Sequence, residues 1–141
     1  MAAGGPVSPA TSARIIHAAL VAGVLTFSVV AWYLGQSSAI PAEALPDRKV
    51  LYVALTLVSA VLFGGAMFTV ARLGHIRTGD SQDDWWRANL GKAVLIWSLV
   101  EAPCLLGLVA YTLTRDFRTL IATFIGLLFF GSYRPSRLIV R

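Results

Sequence analysis

The chain has 141 residues, 57% of them hydrophobic and 13% charged, with a formal net charge of +5 and a mean hydropathy of +0.72. A soluble domain carries about 25% charged residues, so these figures exclude an ordinary water-soluble enzyme. The apolar residues fall in four long runs, which leave no room for a separate soluble catalytic domain. The reading is an all-α polytopic membrane protein: one membrane domain over 1–141, four transmembrane helices and both termini cytoplasmic.

The first run, 15–34, reads IIHAALVAGVLTFSVVAWYL and contains no Asp, Glu, Lys or Arg. At about 1.5 Å per residue it matches a hydrocarbon core about 30 Å thick. It is longer than a signal-peptide core and ends in Trp32 and Tyr33 rather than in small residues, so it reads as a retained span with an aromatic anchor. The preceding stretch, MAAGGPVSPATS, has the composition of a segment that is disordered when free. It is expected to be held by a partner protein. Ala19 and Gly23 lie four residues apart, a spacing of small residues that permits close helix approach.

The loop 35–49 carries Pro41 and Pro46 and predicts a turn-rich cap. The second run spans 50–71, where Ala60 and Gly64 repeat the small-residue spacing. Together these pairs nominate the first two helices as an internal packing pair. The third run spans 93–114, and its helix is expected to begin earlier, within 81–92. There Ser81 is a candidate N-cap, Asp83 and Asp84 sit in the first turn and Asp84 takes the capping-box position. Trp85 and Trp86 are then expected at the lipid headgroups. The fourth run, 117–133, is shorter and carries Arg118 near its start, where the side chain can snorkel to the interface. Its Phe124, Phe129 and Phe130 predict a lipid-facing or partner-facing helix.

Orientation follows from the basic residues. One side would hold Arg14, Arg72, Arg77, Arg87, Lys92, Arg134, Arg137 and Arg141, and the other Arg48, Lys49, Arg115 and Arg118. The positive-inside rule assigns the richer side to the cytoplasm. The arginines are dispersed along span edges rather than clustered in one tract, which argues against nucleic acid as a partner.

Chemistry concentrates on Glu101. It lies near the middle of the third span, where an ionised side chain costs a few kcal/mol on insertion scales. Its helical neighbours at three and four residues are Trp97, Ser98, Cys104 and Leu105. Pro103 removes a helical donor and frees the carbonyl of Leu99, favouring a kink. Glu101 with Ser98 is thus a candidate proton or ion site, or else a hydrogen-bonding contact between helices or subunits.

At this helix the stretch Ala88-Asn89-Leu90-Gly91-Lys92 leads into AVLIWSLVEAPCLLGLVAYTL, and residues 88–113 resemble the second helix of the rotary ATP synthase c subunit, the proteolipid. The match rests on Leu-Val-Glu-Ala followed by Gly-Leu-Val. The resemblance implies that Glu101 stands at the position of the proton-carrying carboxyl. The glycine repeat and polar loop motif of that family are absent here, where the preceding span offers only Gly64 and Gly65, and two further spans flank the hairpin. The whole chain resembles small four-helix bacterial membrane proteins of non-rotary type.

His17, about one turn inside the first span, and His75, after the second, are candidate ligands for a haem or a pigment. Interfacial hydrogen bonding is the competing role. Cys104 is the only cysteine, which excludes an intrachain disulfide and a multi-cysteine metal site. No zinc, phosphate-loop or nucleophile-elbow motif is present. No metal or other cofactor is expected beyond contact with a pigment, a haem or lipid. The expected function is non-catalytic: an accessory subunit stabilising a larger energy-transducing complex of the photosynthetic reaction centre-antenna or respiratory type, in a bacterial inner membrane, with other membrane subunits and lipids as partners. The alternatives are a small c-subunit-like proton or ion conductor built on Glu101, for which Thr26, Ser28, Thr56, Ser59, Ser98 and Thr112 are the available polar residues, and an assembly factor for membrane complexes.

Overall fold

The computed structural model describes residues 7–37, 47–76, 79 and 81–139. Within them the chain forms α1 (Pro9–Ser37), α2 (Arg48–Ala71), α3 (Gln82–Thr114), a 3-10 turn at Phe117–Thr119 that runs into α4 (Leu120–Ser132), and a short α5 (Pro135–Leu138). No strand occurs among the described residues. The helices α1, α2 and α3 are each long and apolar enough to cross a membrane.

Their ends follow local chemistry. Asp47 caps α2 by accepting a hydrogen bond from the Lys49 backbone N–H at 2.9 Å. Ser81 caps α3, its hydroxyl accepting from the Asp84 N–H at 3.2 Å and donating to the Asp84 carboxylate at 2.6 Å. Asp84 in turn pairs with Arg87 at 2.9 Å. The early start expected for the third helix is therefore present. Pro103 sits inside α3, buried, and the helix continues through it to Thr114.

Two stretches depart from their expected bounds. Residues 9–12, expected to belong to a tail held by another protein, form the first turns of α1, and the Ala10 N–H donates to the Asp83 carboxylate of this same chain at 3.3 Å. Residues 1–6 of that stretch lie outside the described residues, as do Pro41 and Pro46 of the expected cap. The fourth run is an α-helix of only 13 residues, about 20 Å at 1.5 Å per residue. Asp116 causes the shortening. Its carboxylate accepts from the Arg118 N–H at 2.9 Å and its carbonyl from the Thr119 N–H and hydroxyl, which winds the entry as a 3-10 turn.

The helices are arranged around α3. Matching contacts run Ala10 to Asp83, His17 to Trp97 and Gly35 to Tyr111, so α1 lies parallel to α3. Tyr52 bonds Asp116 and Gly65 faces Leu99, so α2 is antiparallel to it. So is α4, with Thr123 on Cys104 and Tyr133 on Trp97. Half of the most apolar window of α3 is buried inside the protein, against 11% for α1 and for α2. The core consequently centres on α3, whose Trp85, Trp86, Ala93, Ile96, Trp97, Val100 and Cys104 meet Ala13 and Val24 of α1, Phe63 and Ala66 of α2 and Phe130 of α4 in the main buried cluster.

This layout corrects the expected pairing of the first two helices. α1 and α2 make no extended contact with each other; each packs on α3 instead. Ala19, Ala60 and Gly64 are exposed, and nothing lies within 4 Å of where a β-carbon on Gly64 would be. The close-packed small residues are found between α3 and α4. A β-carbon on Gly107 would come 2.7 Å from the Thr119 carbonyl oxygen and 2.8 Å from the Thr123 hydroxyl, and one on Gly126 would overlap the Cys104 sulfur. The Thr123 hydroxyl donates to the Cys104 carbonyl at 2.8 Å, joining the two backbones at that point.

At the opposite end of the bundle from the α2–α3 connection, the Tyr52 hydroxyl donates to the Asp116 carboxylate. That bond, followed by the Arg118 N–H, holds the Asp116 carboxyl below the usual carboxylate range. A lowered folded-state value means that the contribution is present above the unfolded value of about 3.9 and is lost as pH falls through the folded one. Thermal unfolding in detergent should therefore lose stability on acidification below about pH 4. In Asp116→Asn that part of the acid sensitivity should be absent. An unchanged acid profile in Asp116→Asn would remove this contact from the account.

Candidate functional site

Glu101 sits on α3 two turns before the Gly107 contact, on the side that meets α1. A β-carbon on Gly23 would lie 3.9 Å from the Glu101 Oε1, so the absence of a side chain at Gly23 leaves the carboxyl its place beside α1. The residue is half-buried. Among the described residues neither Glu101 nor Ser98 makes a side-chain hydrogen bond, and Ser98 is exposed. A carboxyl at this depth, whether ionised or neutral, is costly without a partner. Gly23, read from its spacing as a helix-packing residue, therefore meets α3 and the carboxyl rather than α2.

The other hydroxyls do not extend this site. Ser28 donates to the Val24 carbonyl at 2.8 Å and Thr112 to the Val109 carbonyl at 2.7 Å, each within its own helix. Thr56 and Ser59 line a cavity of about 320 Å³ together with Phe63, Arg118 and Ile125, between α2 and α4. Ser59 Oγ is buried there with no partner among the described residues. Thr26 is exposed. Among the described residues no hydrogen-bonded chain runs from these groups to Glu101.

The two histidines occupy separate settings. His17 turns inward from α1: its Nε2 is 3.1 Å from the Phe130 carbonyl oxygen, and its ring meets Trp97 and Phe130 edge-on at 5.1 and 5.7 Å. A carbonyl can only accept, so Nε2 carries the proton and is committed. His75 is exposed in the stretch after α2. The two share neither a hydrogen bond nor a ring contact, and no group of three or more His, Cys, Asp or Glu among the described residues could hold a metal ion.

The tryptophans of α3 differ from their expected place. Trp85 and Trp86 are 4% and 1% exposed, so they point into the bundle and not toward headgroups. Trp85 Nε1 donates to the Gly74 carbonyl in the stretch after α2, and the Trp86 ring contacts those of Trp85 and Trp97. An indole at this position buries more area against neighbouring helices than it would at a surface, and Trp85 finds its hydrogen-bond partner within the chain. Trp32 and Tyr33 do remain at the surface, with Trp32 stacked on Tyr111 at 6.3 Å. On α4, Phe124 is exposed as expected, but Phe130 is 2% exposed and Phe129 stacks on Phe63.

Trp97 joins three helices and was legible only as a neighbour of Glu101. It is fully buried, touches His17 and Trp86, and donates from Nε1 to the Tyr133 carbonyl at 2.8 Å. Trp97→Phe keeps an aromatic ring and loses that bond, leaving a carbonyl without its donor. A loss of about 1–3 kcal/mol is expected, read as a lowered unfolding midpoint in detergent. An unchanged midpoint would show that the Tyr133 carbonyl finds another donor.

In comparison with known proteins, no family model matches this sequence, and no curated protein or solved structure matches it.

Proposed function

We propose that this chain is a non-catalytic accessory subunit of a larger energy-transducing membrane complex, of the photosynthetic reaction centre-antenna or respiratory type, and that it acts by helix packing. In this reading it lies in a bacterial inner membrane with both termini cytoplasmic, and α4 crosses as a fourth, short span. Its partners are other membrane subunits and lipids.

The observation that supports the proposal is Glu101: a mid-helix carboxyl at the α1–α3 boundary, half-buried, with no hydrogen-bond partner among the described residues. A polar group in hydrocarbon is stabilised by a donor on a neighbouring helix. Among the described residues none is offered, and in this reading a neighbouring subunit supplies it. The long apolar faces of α1 and α2, nine-tenths of whose most apolar windows stay outside the protein interior, give such a subunit surface to pack on.

The experiment is purification in gentle detergent through a tag on this chain, followed by mass identification of co-purifying proteins. A membrane complex in fixed stoichiometry is expected. A solitary chain would overturn the proposal.

A further inference from the structure

A second site lies at the end of the bundle that carries the start of α1 and the end of α4. Arg14, His17, Arg134, Pro135 and Ser136 line an open cavity of about 260 Å³ there. No acidic residue lines it, and neither Arg14 nor Arg134 has an ion-pair partner among the described residues. His17 contributes a ring already fixed by the Phe130 carbonyl, and Ser136 contributes an exposed hydroxyl. Both arginines are exposed at the ends of apolar helices, the level at which headgroups meet a membrane protein.

We propose that this cavity binds the phosphate of an anionic phospholipid headgroup. Two arginines lining one concavity suit a phosphate, which a guanidinium can contact through paired N–H donors. The Ser136 hydroxyl adds a further donor. Basic pockets between membrane helices hold anionic headgroups in this way. The site spans the beginning of α1 and the beginning of α5, two helices that also contact each other directly, so a bound headgroup would tie the first helix to the last. The proposal is independent of whether Glu101 has a partner subunit, because none of its residues touches that carboxyl.

The test uses the full chain in a neutral detergent, titrated with short-chain phosphatidylglycerol, short-chain phosphatidylcholine and inorganic phosphate. Fluorescence is the readout, since Trp97 lies against His17. Saturable binding of phosphatidylglycerol is expected, with phosphatidylcholine and inorganic phosphate much weaker. Each arginine near a headgroup contributes about fivefold in affinity, so Arg14→Gln with Arg134→Gln should weaken binding about 25-fold. The charge-matched pair Arg48→Gln with Lys49→Gln, at the other end of the bundle, should bind as the unaltered chain does. If the double arginine variant fails to fold, Ser136→Asp serves in its place and should also weaken binding. Equal binding of the two lipids, equal loss in the Arg48–Lys49 pair, or inorganic phosphate binding as tightly as the lipid would each overturn the proposal.

Discussion

Replacing Gly107 with leucine is expected to detach α4 from α3. The reason is steric. The β-carbon alone would fall 2.7 Å from the Thr119 carbonyl oxygen and 2.8 Å from the Thr123 hydroxyl, and a backbone oxygen cannot rotate aside as a side-chain terminus can. Even Gly107→Ala should destabilise by about 1–3 kcal/mol through overpacking, offset in part by about 1 kcal/mol of gained helix propensity. Leucine adds a branched side chain to that clash and should exceed the upper figure. It would also break the Thr123 hydrogen bond to the Cys104 carbonyl. Between membrane helices, lipid tails are as apolar as leucine, so close packing rather than water exclusion holds helices together. Loss of close approach is therefore not compensated elsewhere. Thermal unfolding of the detergent-solubilised protein measures this, with Gly64→Ala as the reference. Gly64 faces open space, so that change should be neutral or raise stability by up to about 1 kcal/mol. Similar midpoints for Gly107→Leu and Gly64→Ala would contradict the α3–α4 contact.

The second large effect concerns Glu101 and is one of association rather than folding. Its carboxyl has no hydrogen-bonding partner among the described residues, so Glu101→Leu removes an isolated polar group from hydrocarbon. The isolated chain should become no less stable, and its folding should improve. Association with a partner should suffer. An interhelical hydrogen bond in a membrane is worth about 0.6–2 kcal/mol, which corresponds to about three- to thirtyfold in affinity. Glu101→Gln keeps a donor and an acceptor of the same size and should retain most of the association. A proton carrier would behave differently, since glutamine cannot release a proton at all. Retained assembly with lost proton movement in Glu101→Gln would replace packing by proton handling as the role of this residue.

The helices themselves were legible because their signals are local. A run without charge gives a long apolar helix, and Ser81 followed by acids marks a helix start whatever packs around it. The start of α1 at Pro9 was missed because a small, polar composition resembles a disordered tail when its contact with Asp83, 73 positions away, is unknown. The choice of helix partners was not legible either. Small-residue spacing in the first two spans suggested a pair, yet such spacing states only that a face is shallow. Which helix fills it depends on α3, whose tryptophans and alternating small residues offer contact on three sides. Gly107 and Gly126 carried a usable signal, since Thr119, Thr123 and Gly126 repeat small residues at helical spacing opposite Cys104 and Gly107. Position along the helix alone puts Trp85 and Trp86 at the headgroups. The direction of a side chain around the helix decided otherwise.

Glu101 is the one residue that sequence and geometry single out on the same ground, a carboxyl in the middle of a long apolar helix. The sequence could supply neither the glycine beside it on α1 nor the lack of a donor to it among the described residues.

The measurement that bears most directly on the proposed role is quantitative co-purification through a tag on this chain, comparing the unaltered protein with Glu101→Gln and Glu101→Leu at matched expression. A membrane partner in fixed stoichiometry is expected, largely retained with glutamine and reduced about three- to thirtyfold with leucine. Equal recovery from all three chains, or no partner from any of them, would contradict it.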